Sequence, residues 1–195
     1  MPWQFRKLTD GKIAVTLDNN VWNFLFHGKI DLMAELPKDR FAISIAREVE
    51  IETLAIPDSE EKKALKDYIA RTIDSRGIST IRFFGFANEG PGPERRGSFD
   101  HAVWASDVQV EFYAAIHQRF LERKGLKNSE LFDNEADAAV ASHSFSSIVL
   151  TCERPNKAGP LRFASENGGA ILYLRNYEQS SLGLREIIED FHQKL

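Results

Sequence analysis

The sequence predicts an α/β fold, a three-layer α/β/α sandwich around a central, mostly parallel sheet of about four to five strands. Short apolar segments alternate along the chain with longer segments whose apolar residues recur at helical spacing. Strand-like segments such as Lys12–Leu17 are apolar in nearly continuous order. Such continuity is typical of parallel strands that helices cover on both faces.

The first half of the chain supplies two strand and helix pairs. Lys12–Leu17 is predicted as a strand, and a helix is expected from about Val21 to His27. Phe41–Ser44 is the second apolar run, and the following Glu-, Ala- and Ile-rich helix must end before Pro57 because proline breaks helices. Two parallel strands joined in this way start the sheet.

The middle of the chain predicts two amphipathic helices, one strand and a loop. Ser59–Asp74 has an acidic first turn and helical spacing, and Ile78–Phe86 is rich in β-branched and aromatic residues, as strands are. Ala87–Gly97 contains three glycines and two prolines and is expected to be a flexible loop. Ala105–Lys124 is predicted as one long helix.

The last third again alternates helices and strands. The expected elements are a helix at Glu135–Phe145, a strand at Ser147–Cys152, a helix at Leu161–Glu166, a strand at Ala170–Leu174 and a helix after Leu182. No repeat and no long linker divides the chain, so residues 1–195 are expected to form a single domain.

Composition excludes several classes of protein. The net charge of −4 argues against nucleic-acid binding through bulk positive charge. Cys152 is the only cysteine, so no internal disulfide can form, and the polar N-terminal segment does not resemble a secretory signal. No apolar run approaches the roughly 20 residues that cross a bilayer. We therefore expect a cytoplasmic protein that has no membrane partner.

Four acidic residues are predicted to meet at one edge of the sheet. Asp18 ends the first strand and Glu153 follows the strand Ser147–Cys152. Asp137 lies in the first turn of the helix before that strand, and Glu50 lies in the helix after the second strand. Ligands of parallel sheets bind at the carboxyl ends of strands. Four carboxylates repel one another unless a cation neutralises them, which favours Mg²⁺ or Mn²⁺ and phosphodiester hydrolysis.

Each acid also has a local interpretation. Asp18 would then terminate a strand in a turn, Glu50 would be a solvated helix charge, Asp137 would form a helix cap together with Asn134, and Glu153 would be an ordinary loop charge. Only the joint placement of the four acids favours a metal site.

Four segments of the chain resemble PIN-domain ribonucleases. Ile13–Leu25 (IAVTLDNNVWNFL) resembles the opening strand with its Asp-x-Asn, and Phe41–Leu54 resembles the strand that ends in Ser before a helix with an acid. Asp137–Ala141 (DAAVA) with Ile148–Glu153 (IVLTCE) resembles the Asp-led helix and the strand that ends in Thr-x-Asp. The resemblance covers nearly the whole chain, although Glu153 stands where the family has Asp or Asn.

The resemblance implies both catalytic and orienting residues. The catalytic, metal-binding acids would be Asp18, Glu50, Asp137 and Glu153, with Mg²⁺ or Mn²⁺ as cofactor. Glu48 and Glu52 compete with Glu50, because a shift of one residue in the helix start turns a side chain by about 100°. Asn20 and Thr151 would orient carboxylates or water. Candidate contacts to phosphate are the cations Arg95, Arg96, Arg154 and Lys157.

The family also implies a biological role, a metal-dependent endoribonuclease that prefers single-stranded RNA. Such proteins are frequently toxins of bacterial toxin–antitoxin pairs, which form homodimers and are held inactive by an antitoxin protein. The extra length in Ile78–Arg123 leaves a housekeeping RNA-processing role open. The leading alternative is a PIN-like module with a weak or inactive centre that binds RNA or protein.

Other enzyme classes fit less well. A haloacid-dehalogenase-like phosphatase needs a second Asp two positions after the first, where this chain has Asn20. The five histidines show no metal-ligand spacing, and no Gly-rich phosphate loop is present.

Overall fold

The computed structural model describes residues 3–7, 11–83, 94, 102–121, 125, 127–177 and 180–195. Five strands form one parallel sheet in the order β3-β2-β1-β4-β5. The strands are β1 (Ile13–Leu17), β2 (Phe41–Ala46), β3 (Ser79–Ile81), β4 (Ile148–Thr151) and β5 (Ile171–Tyr173). This sheet, with its helices, confirms the predicted α/β/α fold class.

Eight α-helices connect and cover the strands in the described part of the chain. They are α1 (Val21–His27), α2 (Leu32–Glu35), α3 (Arg47–Leu54), α4 (Glu60–Arg76), α5 (Asp107–Ile116), α6 (Glu135–His143), α7 (Pro160–Glu166) and α8 (Leu184–Gln193). A π-helical turn at His117–Leu121 follows α5, and a 3₁₀ turn at Leu174–Tyr177 follows β5. No described helix is both long and apolar enough to cross a membrane.

The core lies at the two central strands. β4 is wholly buried, and its Val149 and Leu150 are in register with Thr16 and Leu17 of β1. Burial on both faces explains why these strands are apolar in continuous order. Small side chains let α6 approach the sheet closely, and this helix contacts β1, β2 and β4 as well as three other helices.

Some elements differ from the expectation. The long helix expected at Ala105–Lys124 is α5 plus the π-helical turn, within the residues described. The strand expected at Ile78–Phe86 is shorter, and beyond it Phe83 forms an isolated parallel bridge with Val103. The loop Ala87–Gly97, with Arg95 and Arg96, lies outside the described residues except for Glu94. α2 and the 3₁₀ turn were not predicted.

Candidate active site

The order of the strands creates a crevice at the carboxyl ends of β1 and β4. From β1 the chain moves outward to β2 and β3 on one side, whereas β4 and β5 lie on the other side. Connections that leave a sheet in opposite directions separate at such a point, and ligands of open α/β sheets bind there. Asp18 directly follows β1, and Glu153 follows β4 by two residues. Both acids therefore lie at the expected place.

The Asp18 carboxylate is buried and held in one orientation. The side chain is 5% exposed, and its backbone N–H donates to the carbonyl of Leu150 at 3.1 Å. Oδ2 accepts hydrogen bonds from Asn20 Nδ2 at 2.6 Å and from Thr151 Oγ1 at 2.7 Å. Oδ1 accepts from the Asn19 N–H at 2.7 Å. Three donors thus fix the carboxylate plane.

Asn20 and Thr151 also join the ends of the two strands. Asn20 Oδ1 accepts from the backbone N–H of Cys152 at 2.7 Å, and Thr151 Oγ1 accepts from the N–H of Glu153 at 3.0 Å. Each side chain therefore contacts Asp18 on one side and the backbone after β4 on the other. This geometry suits the orienting role expected for both residues.

Burial and mutual repulsion make this region electrostatically unfavourable for anions. Burial raises the pKa of Asp18 to about 7, and the negative charges of Asp137 and Glu153 add to the effect. Burial also raises the pKa of Asp137, and the charges of Glu153 and Glu52 raise it further. The negative charges of Asp18, Asp137 and Glu153 therefore lie close enough to act on one another.

Asp137 reaches this region from the first turn of α6. The residue before the helix, Asn134, has a left-handed backbone with φ of 62° and makes no side-chain capping hydrogen bond. The proposed cap of Asn134 with Asp137 is thus not formed. The position of α6 across the sheet, rather than a capping role, places the Asp137 carboxylate near Asp18 and Glu153.

Two lysines partly neutralise the acids. Lys157 forms an ion pair with Glu153, and Lys127 Nζ lies 2.8 Å from Glu52 Oε1. The positive charges of both lysines lower the pKa of Asp137, opposing its burial. The hydrogen bond with Glu153 raises the pKa of Lys157, and the charges of Asp137 and Asp18 contribute as well. The cluster therefore consists of acids with two ammonium groups among them.

The two candidate acids of α3 point to different places. Glu50 pairs with Arg47 and accepts from Thr80 Oγ1 at 3.0 Å, so its carboxylate lies beside β3. Glu52 instead accepts from Asn19 Nδ2 at 3.2 Å and from Lys127, and its charge acts on Asp137. Residues two apart on a helix differ by about 200° around its axis. The structure brings Glu52, one of the two named competitors of Glu50, to the cluster.

A recess beside Glu153 carries positive charge. Its lining includes Arg154, Lys157 and Arg175 together with Cys152 and Glu153. Arg175 Nε donates to the carbonyl of Cys152 at 2.5 Å, which holds the guanidinium next to the end of β4. Arg154 and Lys157 were predicted as phosphate contacts. Arg175 was missed although it directly follows the predicted strand Ala170–Leu174, and Lys127 was missed because its segment has no recognisable pattern.

The donor chemistry fits a hard divalent cation, but the acids do not converge on one point. Within the described residues, no three His, Cys, Asp or Glu side chains stand close enough to hold a metal ion together. Carboxylate oxygens are nevertheless the ligands that Mg²⁺ and Mn²⁺ prefer, and a cation would relieve the repulsion that raises the pKa of Asp18. The ion pairs of Glu153 and Glu52 with lysine occupy two of the acids.

Comparison with known proteins adds no assignment. No protein-family model, curated protein or solved structure matches the chain.

Proposed function

We propose that this protein is a divalent-metal-dependent phosphodiesterase that cuts single-stranded RNA at the carboxyl ends of β1 and β4. The observation that supports it is a buried, rigidly oriented Asp18 that interacts electrostatically with Asp137 and Glu153 in the crevice between the two central strands. Mg²⁺ or Mn²⁺ bound there would lower the pKa of attacking water and neutralise charge on the phosphate.

Individual residues of the chain would have separate roles in orienting the acids and in binding the cation. Asn20 and Thr151 hold the Asp18 carboxylate in place, so the acid does not need to reorganise when a cation binds. Asp137, Glu153 and Glu52 supply further oxygens around the same crevice. Glu50 stays a predicted member of the site, although its ion pair with Arg47 must break for it to take part.

The cationic recess is the proposed contact for the RNA backbone. Arg154, Lys157 and Arg175 offer positive charge beside Glu153, where a phosphate bound at the acids would extend. Lys157 has a second role in this proposal. It neutralises Glu153 in the absence of a cation, and it would be available to an RNA phosphate if a cation held Glu153 instead.

Cleavage of labelled single-stranded RNA tests the proposal. Wild type, Asp18→Asn and Asp137→Asn are compared in Mg²⁺, Mn²⁺ and chelator, with Asp67→Asn as a matched control because Asp67 is exposed on α4. Cutting that needs metal, survives in Asp67→Asn and is lost in both site variants is expected. Cutting that is unchanged in the two site variants would refute the proposal.

Two observations favour a second candidate, an inactive module with the same fold that binds RNA or protein. Lysines form ion pairs with Glu153 and Glu52, and no three metal ligands converge in the described residues. Both features fit a centre in which lysine ammonium groups neutralise the acids in place of a metal ion. RNA binding that neither requires nor responds to Mg²⁺, without any cleavage, would support this candidate.

The toxin role follows only from the family resemblance and is proposed separately. Growth arrest on induction that Asp18→Asn abolishes would support a toxin. Unimpaired growth despite RNA cleavage in vitro would favour a role in RNA processing, without an antitoxin partner.

A further inference from the structure

A second cavity, of about 440 Å³, lies against the sheet away from the acid cluster. Its lining comes from β1, β2 and β3, from segment 103–109 before and within α5, and from His143 at the end of α6. Small side chains leave this space open, since Ala14 and Ala42 are paired across β1 and β2 and both line it. Ligand pockets in proteins usually have volumes of roughly 300 to 1,000 Å³.

A chain of hydroxyls borders the cavity. Ser147 Oγ donates to the His143 carbonyl at 3.0 Å, so it accepts from Thr16 Oγ1 at 2.7 Å. Thr16 in turn accepts from Ser44 Oγ at 3.2 Å. Each hydroxyl has a single proton to donate, and this order uses all three. Lone pairs of Ser44 are left to accept a hydrogen bond from a molecule in the cavity.

His143 is the most unusual residue of the lining. It is 3% exposed, and its imidazole stacks on Phe83 with ring centroids 4.4 Å apart and an interplanar angle of 28°. Its ring nitrogens make no hydrogen bond to any residue in the described part of the chain. Burial lowers its pKa to about 3, so the ring is neutral and offers one donor and one acceptor. A ring in the cavity wall can therefore pair with an acceptor and a donor of a bound molecule.

The rim of the cavity carries positive charge and an exposed aromatic side chain. Arg6 and Lys7 line the cavity, and no acidic side chain does so among the described residues. The Arg6 guanidinium forms no ion pair with any described residue. Trp104 also lines the cavity, although it is a large apolar residue that is 74% exposed. Exposed aromatic surface beside a cavity is typical of binding sites.

We propose that this cavity binds a small planar aromatic molecule that carries one anionic group. The ring would lie among Phe83, His143 and Trp104, and polar atoms on its edge would pair with the His143 nitrogens and with Ser44. The anionic group would lie at the rim near Arg6. This site is separate from the acid cluster, since neither Asp18, Asp137 nor Glu153 lines the cavity.

Fluorescence titration of the full chain without metal tests the proposal. The probe is 1-anilinonaphthalene-8-sulfonate, an aromatic anion with a planar naphthalene ring, and its uncharged counterpart N-phenyl-1-naphthylamine reports on the apolar part alone. Wild type is expected to bind the sulfonate at one saturable site. Ala42→Leu, which fills the cavity, should weaken both probes at least ~10-fold by steric exclusion.

Two further variants separate the polar contributions. His143→Phe keeps the stack on Phe83 and removes the ring nitrogens, so affinity should fall ~2- to 10-fold, as for the loss of one hydrogen bond. Arg6→Gln should weaken the sulfonate but not the uncharged probe, whereas Arg71→Gln, an exposed arginine of α4, should change neither. Because Arg6 is exposed, its substitution leaves the fold intact, which circular dichroism checks for every variant.

The proposal is overturned by either of two results. One is the lack of saturable binding of the sulfonate probe to wild type. The other is binding that Ala42→Leu and Arg6→Gln leave unchanged, which would assign the fluorescence to another apolar surface. Neither result affects the proposed nuclease, since these titrations contain no RNA and no metal.

Discussion

Replacement of Asp18 by Asn should remove one cause of the dependence of stability on pH. Burial and the charge of Asp137 raise the pKa of Asp18 to about 7 from an ordinary value of 3.8. Between these two pH values the folded chain keeps a proton that the unfolded chain releases. The free energy of unfolding of the wild type therefore falls as pH rises through this window. Asn cannot ionise, so Asp18→Asn removes this contribution.

The size of the effect follows from the two pKa values. A difference of about three pH units corresponds to about 4 kcal/mol between pH 4 and pH 8. Asp137 lies close to Asp18, so its own titration reduces the effect of replacing Asp18. We therefore expect the free energy of unfolding of Asp18→Asn, relative to wild type, to rise by about 1 to 4 kcal/mol between pH 4 and pH 8. The amide group of the Asp18→Asn variant accepts the hydrogen bonds from Asn20 and Thr151 less well than the carboxylate does. This cost lowers the stability of the variant equally at every pH, so it does not change how stability depends on pH.

Urea denaturation from pH 4 to pH 8 measures the difference, with Asp67→Asn as the control for loss of an exposed acid. The stability of Asp18→Asn relative to wild type should rise over this range, whereas that of Asp67→Asn should not. Added Mg²⁺ should raise wild-type stability at pH 8 and leave Asp18→Asn unaffected. If stability depends on pH in the same way in wild type and in Asp18→Asn, the Asp18 carboxylate does not have the raised pKa described above.

Individual contacts lead to three further predictions. Glu52→Gln should lower the rate of metal-dependent cleavage by ~10- to 100-fold and Glu50→Gln by much less, because only Glu52 adjoins the cluster. A larger loss of rate in Glu50→Gln than in Glu52→Gln would show that Glu50 is the site acid. Thr151→Val should lower Mn²⁺ affinity by ~10- to 100-fold through loss of the donor to Asp18, and unchanged affinity in a calorimetric titration would show that orientation is unimportant. Arg76→Met should cost about 3 kcal/mol in urea denaturation, because the 3% exposed guanidinium donates to two backbone carbonyls at 2.7 and 2.8 Å; a cost below about 1 kcal/mol would contradict that role.

The central part of the fold could be predicted from local sequence patterns. β1 and β4 are continuous apolar runs, and α1 has the predicted bounds Val21–His27. Asp18 and Glu153 follow these strands, so the geometry of a parallel sheet suffices to bring them to one edge. Asp137 was identified by the family resemblance and by its place in the first turn of α6. These inferences needed no knowledge of tertiary contacts.

The remaining parts of the site depend on details that patterns do not specify. β2 continues to Ala46, two residues past the predicted end, and α3 then begins at Arg47. That boundary decides whether Glu50 or Glu52 faces Asp137, and boundaries are the least certain part of any pattern. Lys127 lies in a short segment before α6 without periodicity, and only the packing of that segment against α3 brings it to Glu52.

Mn²⁺ binding followed by electron paramagnetic resonance tests the central claim most directly, because it detects the cation at the acid cluster without assuming a substrate. We predict saturable binding to wild type and to Asp67→Asn, competition by Mg²⁺, and loss in Asp18→Asn and Asp137→Asn. Equal binding by all four proteins, or no binding by wild type, would contradict a metal site at the carboxyl ends of β1 and β4.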